Sequence, residues 1–277
     1  MSDVTPLPYG LSWWLDLATD GRWEALVIDD YRVVLPLPKL SRLGILPATV
    51  RPPYTQQLGP YGQLRRGDTN RLLKQVPRTF QIALPLRPSV SAKEVPDRYR
   101  QRRRINYVID LSRPFEEIRK AFPRTLQNFL RKTQDQDHIT PMESGPFIEL
   151  TRERLGDRKG IKVKHFRYLQ ALIDGVTERG LGGCYQLSEE GELLAAGFFP
   201  TLNRRTINIA PVSTPLGLKR RGMSRLLSLI MRQHSGQPGA VFDFEGSELP
   251  GVREYFAKFG SVDEGYLLVE EKGFGLL

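Results

Sequence analysis

Residues 239–260 read GAVFDFEGSELPGVREYFAKFG, an apolar run that ends in two carboxylates, a Gly-Ser pair and a short amphipathic segment. Val241, Phe242 and Phe244 suit a strand, and the two-residue period sends Asp243 and Glu245 to the other face. Gly246 and Ser247 break the strand. Glu248, Pro250 and Glu254 suit a helix first turn, where proline needs no amide partner and carboxylates meet the positive end of the dipole. Two acids at a strand end beside a helix start are placed for proton transfer; the same pair also fits a capping role. A further strand is expected at 266–269.

Upstream, the pattern alternates with period two. Cys184 to Leu187, Leu193 to Phe199 and Thr206 to Ile209 predict an antiparallel meander with turns at Glu190-Gly191 and Asn203-Arg204. A long helix is expected from Leu218 to His234, with Met223, Leu226, Leu227, Ile230 and Met231 on its apolar face. Lys219, Arg220 and Arg221 then fall in its first turn, where each opposes the helix dipole by about 0.3–1 kcal/mol. An anion docked on the free amides of that turn would remove the conflict, so Lys219, Arg220, Arg221, Gly222 and Ser224 are candidate phosphate-binding residues. Solvated charge is the alternative.

Earlier still, Lys164 to Glu178 reads as an amphipathic helix, and Leu126 to Thr133 as a basic one. Ser112 and Pro114 mark another helix start. Trp23 to Asp29 and Tyr31 to Leu35 flank Asp29-Asp30 as a hairpin, behind a short helix from Leu11 to Leu17. Twelve of the 21 prolines precede residue 105 and cluster with aromatics in RPPYTQQLGPYG, residues 51–62, which reads as an ordered loop. The polar run RYRQRRR, residues 98–104, is the expected join between two domains, 1–104 and 105–277. A chain of 277 residues exceeds the usual size of one core.

The net charge of +10 is uneven: residues 1–104 hold 17 Lys plus Arg against 9 Asp plus Glu, and the remainder 24 against 22. A basic half beside a near-neutral one suits an anionic partner, such as a nucleic acid or a nucleotide; a surface charged for solubility is the alternative. The single cysteine, Cys184, forbids an internal disulfide and reads as a buried thiol in a reducing compartment. His138, His165 and His234 lack metal-ligand spacing, so no metal is expected. No apolar run is long enough to span a membrane, and residues 1–10 lack the pattern of an export signal, which together predict a cytoplasmic protein.

The order of meander, LKRRGMS helix, FDFEGS strand and YFAKFG helix resembles the GNAT acyltransferase superfamily, and within it the FemAB-like branch. The resemblance extends to the PPYTQQLGPYG loop with Pro36 and Lys39, and so covers nearly the whole chain. It implies an α+β fold with two tandem GNAT-like domains, each a mostly antiparallel mixed sheet flanked by helices. It also implies transfer of an acyl or aminoacyl group to an amine, from a coenzyme A thioester or, as the alternative donor, aminoacyl-tRNA. Relatives carry Gln or Arg, two residues, Gly, one residue, then Gly or Ala where this chain has Lys219, Gly222 and Ser224. In the aminoacyl-tRNA branch a lysine directly follows the aromatic of the last helix, where Phe256 stands here, with Lys258 two positions on.

Such transfer needs a base, and Glu245 is the first candidate, Asp243 the second. In the resembling fold two central strands splay apart and expose backbone amides to the carbonyl; the matching segment is Thr206 to Pro211, with Asn208 and Ser213 as assisting groups. Tyr54, Gln56 and Tyr61 are the candidates for holding the acceptor; packing of their own loop is the competing explanation. A non-catalytic module that binds nucleic acid through its basic half is the reading from a different functional class.

Overall fold

The computed structural model describes residues 7–42, 44–133, 137–156, 162–246 and 249–272. Ser247 and Glu248, read above as a strand break and a helix first turn, lie outside them. The chain divides into two compact units, Met1–Ile105 with Glu264–Leu277, and Asn106–Asp263.

The first unit opens with helix α1 (Ser12–Thr19), which buries Trp14, Leu15 and Ala18. Strands β1 (Trp23–Ile28) and β2 (Val33–Pro38) form the expected hairpin. Asp29, Asp30 and Tyr31 all take positive φ in its turn, a conformation that Asp tolerates better than most residues. There follow β3 (Leu40–Arg42), β4 (Leu46–Val50), β5 (Tyr61–Gly62), helix α2 (Asp68–Gln75), β6 (Gln81–Pro85) and β7 (Arg100–Arg104).

Most of the run RYRQRRR, expected at the join between domains, is regular structure. Its last five residues form β7, and all but Arg104 are exposed. Backbone pairing makes it a strand, since nothing in its side chains does.

The second unit begins with β8 (Tyr107–Asp110), α3 (Phe115–Ile118), α4 (Arg124–Thr133), β9 (Ile139–Met142), α5 (Ser144–Leu155) and α6 (Val163–Glu178). Ser112 does not cap α3: its N–H donates to Asp110 Oδ1, and its hydroxyl accepts from Gly239 N–H at 3.1 Å. The meander is β10 (Gly182–Glu189), β11 (Glu192–Leu202) and the interrupted pair β12 (Arg205–Ile207) and β13 (Ile209–Ser213). Glu190, Gly191, Asn203 and Arg204 take positive φ at its two turns. Helices α7 (Pro215–Lys219) and α8 (Gly222–His234), strand β14 (Val241–Asp243), helix α9 (Pro250–Ala257) and β15 (Val262–Asp263) complete the unit.

These strands form one mixed sheet in the order β15-β8-β14-β12-β11-β10-β9, with β13 paired to β11. Leu226, Leu227, Ile230 and Met231 of α8 share a core with Phe199, Phe242, Phe244, Phe256 and Phe259. Phe166, Leu169, Leu172, Ile173 and Val176 form the buried face of α6, as their spacing predicts.

The last strand, β16 (Tyr266–Lys272), pairs with β6 and β7. It thus sits inside the five-stranded sheet β3-β4-β6-β16-β7 of the first unit, rather than with the residues that precede it.

Candidate active site

Three residues of β12 pair in parallel with three of β14: Arg205 with Val241, Thr206 with Phe242 and Ile207 with Asp243. Asn208 N–H adds a rung to Asp243 O at 2.8 Å. In a regular parallel ladder the next rung would run from Glu245 N–H to Asn208 O. It does not form, because Glu245 N–H donates to Asp243 Oδ1 at 2.8 Å. Glu245 then takes φ +58, and its carbonyl accepts from Tyr107 N–H at 3.4 Å. The chain leaving β14 follows β8.

On the other side, β13 follows β11. Ile209 pairs with Phe198 and Val212 with Ala196, so β13 spends one more residue than β11 over this step. That bulge places Ala210 at φ +49, followed by Pro211, which has no N–H to offer a ladder. The two central strands therefore part after Asn208 and Asp243. A side chain and a bulge cause the parting.

Asp243 is fully buried. Its Oδ2 accepts from Arg205 Nε at 2.8 Å and Nη2 at 2.6 Å, while Oδ1 holds the Glu245 amide. Both oxygens are thus engaged, on the face of the sheet opposite Phe242. Glu245, beyond the strand end, is half-buried. Alternation does not set its direction, because the left-handed backbone has already turned the chain.

The long helix of the sequence reading is in fact two. Arg221 takes φ +51 between α7 and α8, so Lys219 ends one helix rather than opening another. At that end its charge favours the dipole. Both helices approach Leu194 closely, which requires glycine at the contacts: a Cβ on Gly217 would meet Leu194 O at 1.8 Å, and one on Gly222 would meet Leu194 Cβ at 2.7 Å. Thr214 caps α7, its hydroxyl accepting from Gly217 N–H at 3.0 Å and donating to Leu193 O at 2.8 Å.

Two of the three expected cations have protein partners. Arg220 pairs with Glu189 and stands 3.7 Å from Glu190, and Arg221 lies 5.0 Å above the Phe129 ring. The hydrogen bond from Arg220, seconded by Arg225, holds the Glu189 carboxyl below its usual range. Ser224 Oγ, in the first turn of α8, lies 3.0 Å from the hydroxyl of Tyr255 on α9. Burial pushes that hydroxyl up to about 12, so it is a phenol at neutral pH.

Asn208 is 2% exposed, and neither its side-chain oxygen nor its nitrogen has a hydrogen-bond partner. A buried unpaired group of this kind costs about 1–3 kcal/mol. Ser213 is half-buried, and its carbonyl accepts from Arg154 Nε at 3.2 Å.

No family model matches the sequence, and no curated protein does. Solved structures do match. FemX superposes with a TM-score of 0.68 over 97% of this chain and 93% of its own, at 12% identity. The fold is that of FemX and the GNAT acetyltransferases. An acetyltransferase of the GNAT family from Colwellia psychrerythraea matches at a TM-score of 0.54 and 12% identity, over 98% of this chain and 92% of its own. The C-terminal domain of a candidate lysylphosphatidylglycerol synthetase from Agrobacterium fabrum matches at 0.57 and 13%, over 94% and 92%.

Within this FemX-like fold, the acceptor candidates belong to the first unit. Tyr54 is half-buried, with φ +56 and a hydroxyl that burial pushes up to about 12. Gln56 is buried and accepts from Gln57 Nε2 at 3.0 Å. Tyr61 is buried and donates to Gln57 O at 3.0 Å. Cys184 is buried, which raises its thiol pKa. His165 Nδ1 accepts from Lys162 N–H, and burial lowers the pKa of His165 and His234. Among the described residues there is no group of three or more metal-ligating side chains, and no helix long and apolar enough to cross a membrane.

Three participants escaped the sequence reading. Arg205 lies between the Asn203-Arg204 turn signal and the strand expected from Thr206, and Tyr255 is one aromatic among several. Arg225 is buried against Asp137 and Glu189, in the first turn of α8. Its partners lie 88 and 36 residues away in the chain, so spacing gives no signal of the contact.

Proposed function

We propose that the protein is an N-acyltransferase whose reaction centre is the opening between β13 and β14. The observation that carries this reading is the parting of the strands at Asn208 and Asp243. It frees the N–H of Ala210 from the rung that a continued ladder would have made with Glu245 O. A donor carbonyl laid along β13 meets backbone donors there, which suits an oxyanion.

The amine nitrogen attacks the carbonyl carbon and forms the C–N bond. Its proton passes to the Glu245 carboxylate, and the bond to the leaving sulfur or oxygen breaks. Asp243, with both oxygens engaged, positions Glu245 and takes no proton. Tyr255, a phenol beside Ser224, returns a proton to the leaving group. A coenzyme A thioester is the donor we favour, with the first turn of α8 and exposed Lys219 receiving its phosphates; aminoacyl-tRNA is the alternative. The lone buried thiol fits a reducing compartment and so supports a cytoplasmic site of action.

The test is Glu245→Gln. Turnover with an acyl donor and a panel of amines is expected to fall by about 100-fold or more, at nearly unchanged thermal stability. Turnover within a factor of two of the parent removes Glu245 from the reaction.

A further inference from the structure

Four of the five residues of β7 are arginine, and β7 forms one end of its sheet. On its paired edge, Arg100 stands opposite Glu270, Arg102 opposite Leu268 and Arg104 opposite Tyr266. Among the described residues no strand takes the other edge, so alternate N–H and C=O groups of β7 lie open along it. The two-residue period puts Arg100, Arg102 and Arg104 on one face of the sheet, and Gln101 and Arg103 on the other with buried Val269. Arg103 lies against Gly265, where a Cβ would meet its Cζ at 2.4 Å. Arg100 and Arg102 are exposed, and among the described residues neither side chain has a partner; Glu270, opposite Arg100, makes no ion pair with it.

Charge on an edge strand keeps it from pairing with its own kind, and lysine is the usual residue for that duty. The other end of this sheet is blunted differently: β3 is three residues long, and its Arg42 donates to Gln81 Oε1 at 2.6 Å. Arginine on β7 brings something lysine lacks, a planar fork of N–H groups that matches a carboxylate. Two such forks stand one repeat of the pleat apart, about 7 Å, beside an open backbone edge. An extended polypeptide has the same repeat in its side chains, and both N–H and C=O groups to offer the edge. A sugar-phosphate backbone would satisfy the arginines but has no N–H groups for the open carbonyls.

We infer that the free edge of β7 is a docking strand for an acidic segment of a partner protein. The segment joins the sheet in extended conformation and sets carboxylates at alternate positions against Arg100 and Arg102. Main-chain hydrogen bonds hold it, and the guanidinium pairs select its charge and register. No residue of β7 enters the acyl transfer proposed above, so the two stand or fall separately.

The test uses the full chain and a capped, fluorophore-labelled peptide of about ten residues, alternating Glu and Thr. Anisotropy is expected to show saturable binding, with amides of β7 gaining protection from hydrogen exchange. The double variant Arg100→Gln, Arg102→Gln changes two exposed positions and is expected to melt within about 2 °C of the parent. It is expected to bind the peptide at least about tenfold more weakly. Two further peptides, N-methylated on every Glu or on every Thr, keep all the charge and lose alternate N–H groups. At least one of them is expected to bind the parent protein about tenfold more weakly, an arm that needs no variant. Absence of saturable binding, or no gain of protection in β7, would overturn the inference. So would both N-methylated peptides binding as tightly as the first, since charge alone would then account for the contact. An oligouridylate that binds more tightly than the peptide, and loses that binding in the double variant, would assign the arginines to nucleic acid and overturn it equally.

Discussion

Deleting residues 264–277 is expected to unfold the first unit, although they are the residues furthest from it in sequence. They carry β16, which pairs with β6 on one side and β7 on the other. Val269 is fully buried among Ile82, Leu84 and Leu35, and Tyr266 is 7% exposed. Losing two large buried side chains costs about 1.5–3 kcal/mol each by burial alone. Two ladders go with them, so the loss approaches the whole stability of an ordinary domain, about 5–15 kcal/mol. Hydrogen exchange would report it: amides of β4, β6 and β7 should lose protection in the truncated chain. Protection retained in β6 would show that the unit does not depend on its late strand.

Asp243→Ala is expected to cost about 3–5 kcal/mol, because it strands the Arg205 guanidinium without its buried partner. A drop in melting temperature of about 10 °C corresponds to that loss in a chain of this size. The same change releases the Glu245 amide, so turnover should fall as well. Combining it with Arg205→Met should recover part of the stability and none of the turnover, which separates the ion pair from the positioning of Glu245. A loss below about 0.5 kcal/mol, the range of ordinary surface substitutions, would contradict the account of the strand end.

Much of this architecture was legible in local chemistry. Asp29-Asp30, Glu190-Gly191 and Asn203-Arg204 are turn-forming pairs, and each takes the positive φ that such residues tolerate. The apolar stripe of α6 follows helical spacing and is buried as that spacing requires. The acids at and just beyond the end of β14 stood out as charges closing an apolar run.

Long-range partners were not legible. Arg100–Arg104 reads in sequence as part of a polar join between domains, with no strand pattern in its side chains; its strand state is set by pairing with residues 266–270. The break between α7 and α8 is made by the left-handed backbone at Arg221, and the close approach of Leu194 to Gly217 and Gly222 comes from a strand more than 20 residues upstream, so neither shows in the helical spacing. Asp243 and Glu245 both read as candidate bases in sequence, with Glu245 ranked first. Arg205 separates their roles, by taking one carboxylate as a structural partner and leaving the other at the end of the strand. The resemblance marks Asn208 as an assisting group on the Thr206 to Pro211 segment; that its carboxamide is buried and unpaired is visible only in the folded chain.

The most direct test of the central claim, that the opening between β13 and β14 receives the acyl donor, is a backbone amide NMR titration of the full chain with acetyl-coenzyme A. The largest shifts are expected at Asn208, Ile209, Ala210 and Val212 on one side of the opening and at Glu245 and Gly246 on the other. Saturable shifts confined to other strands, or none at millimolar donor, would contradict it.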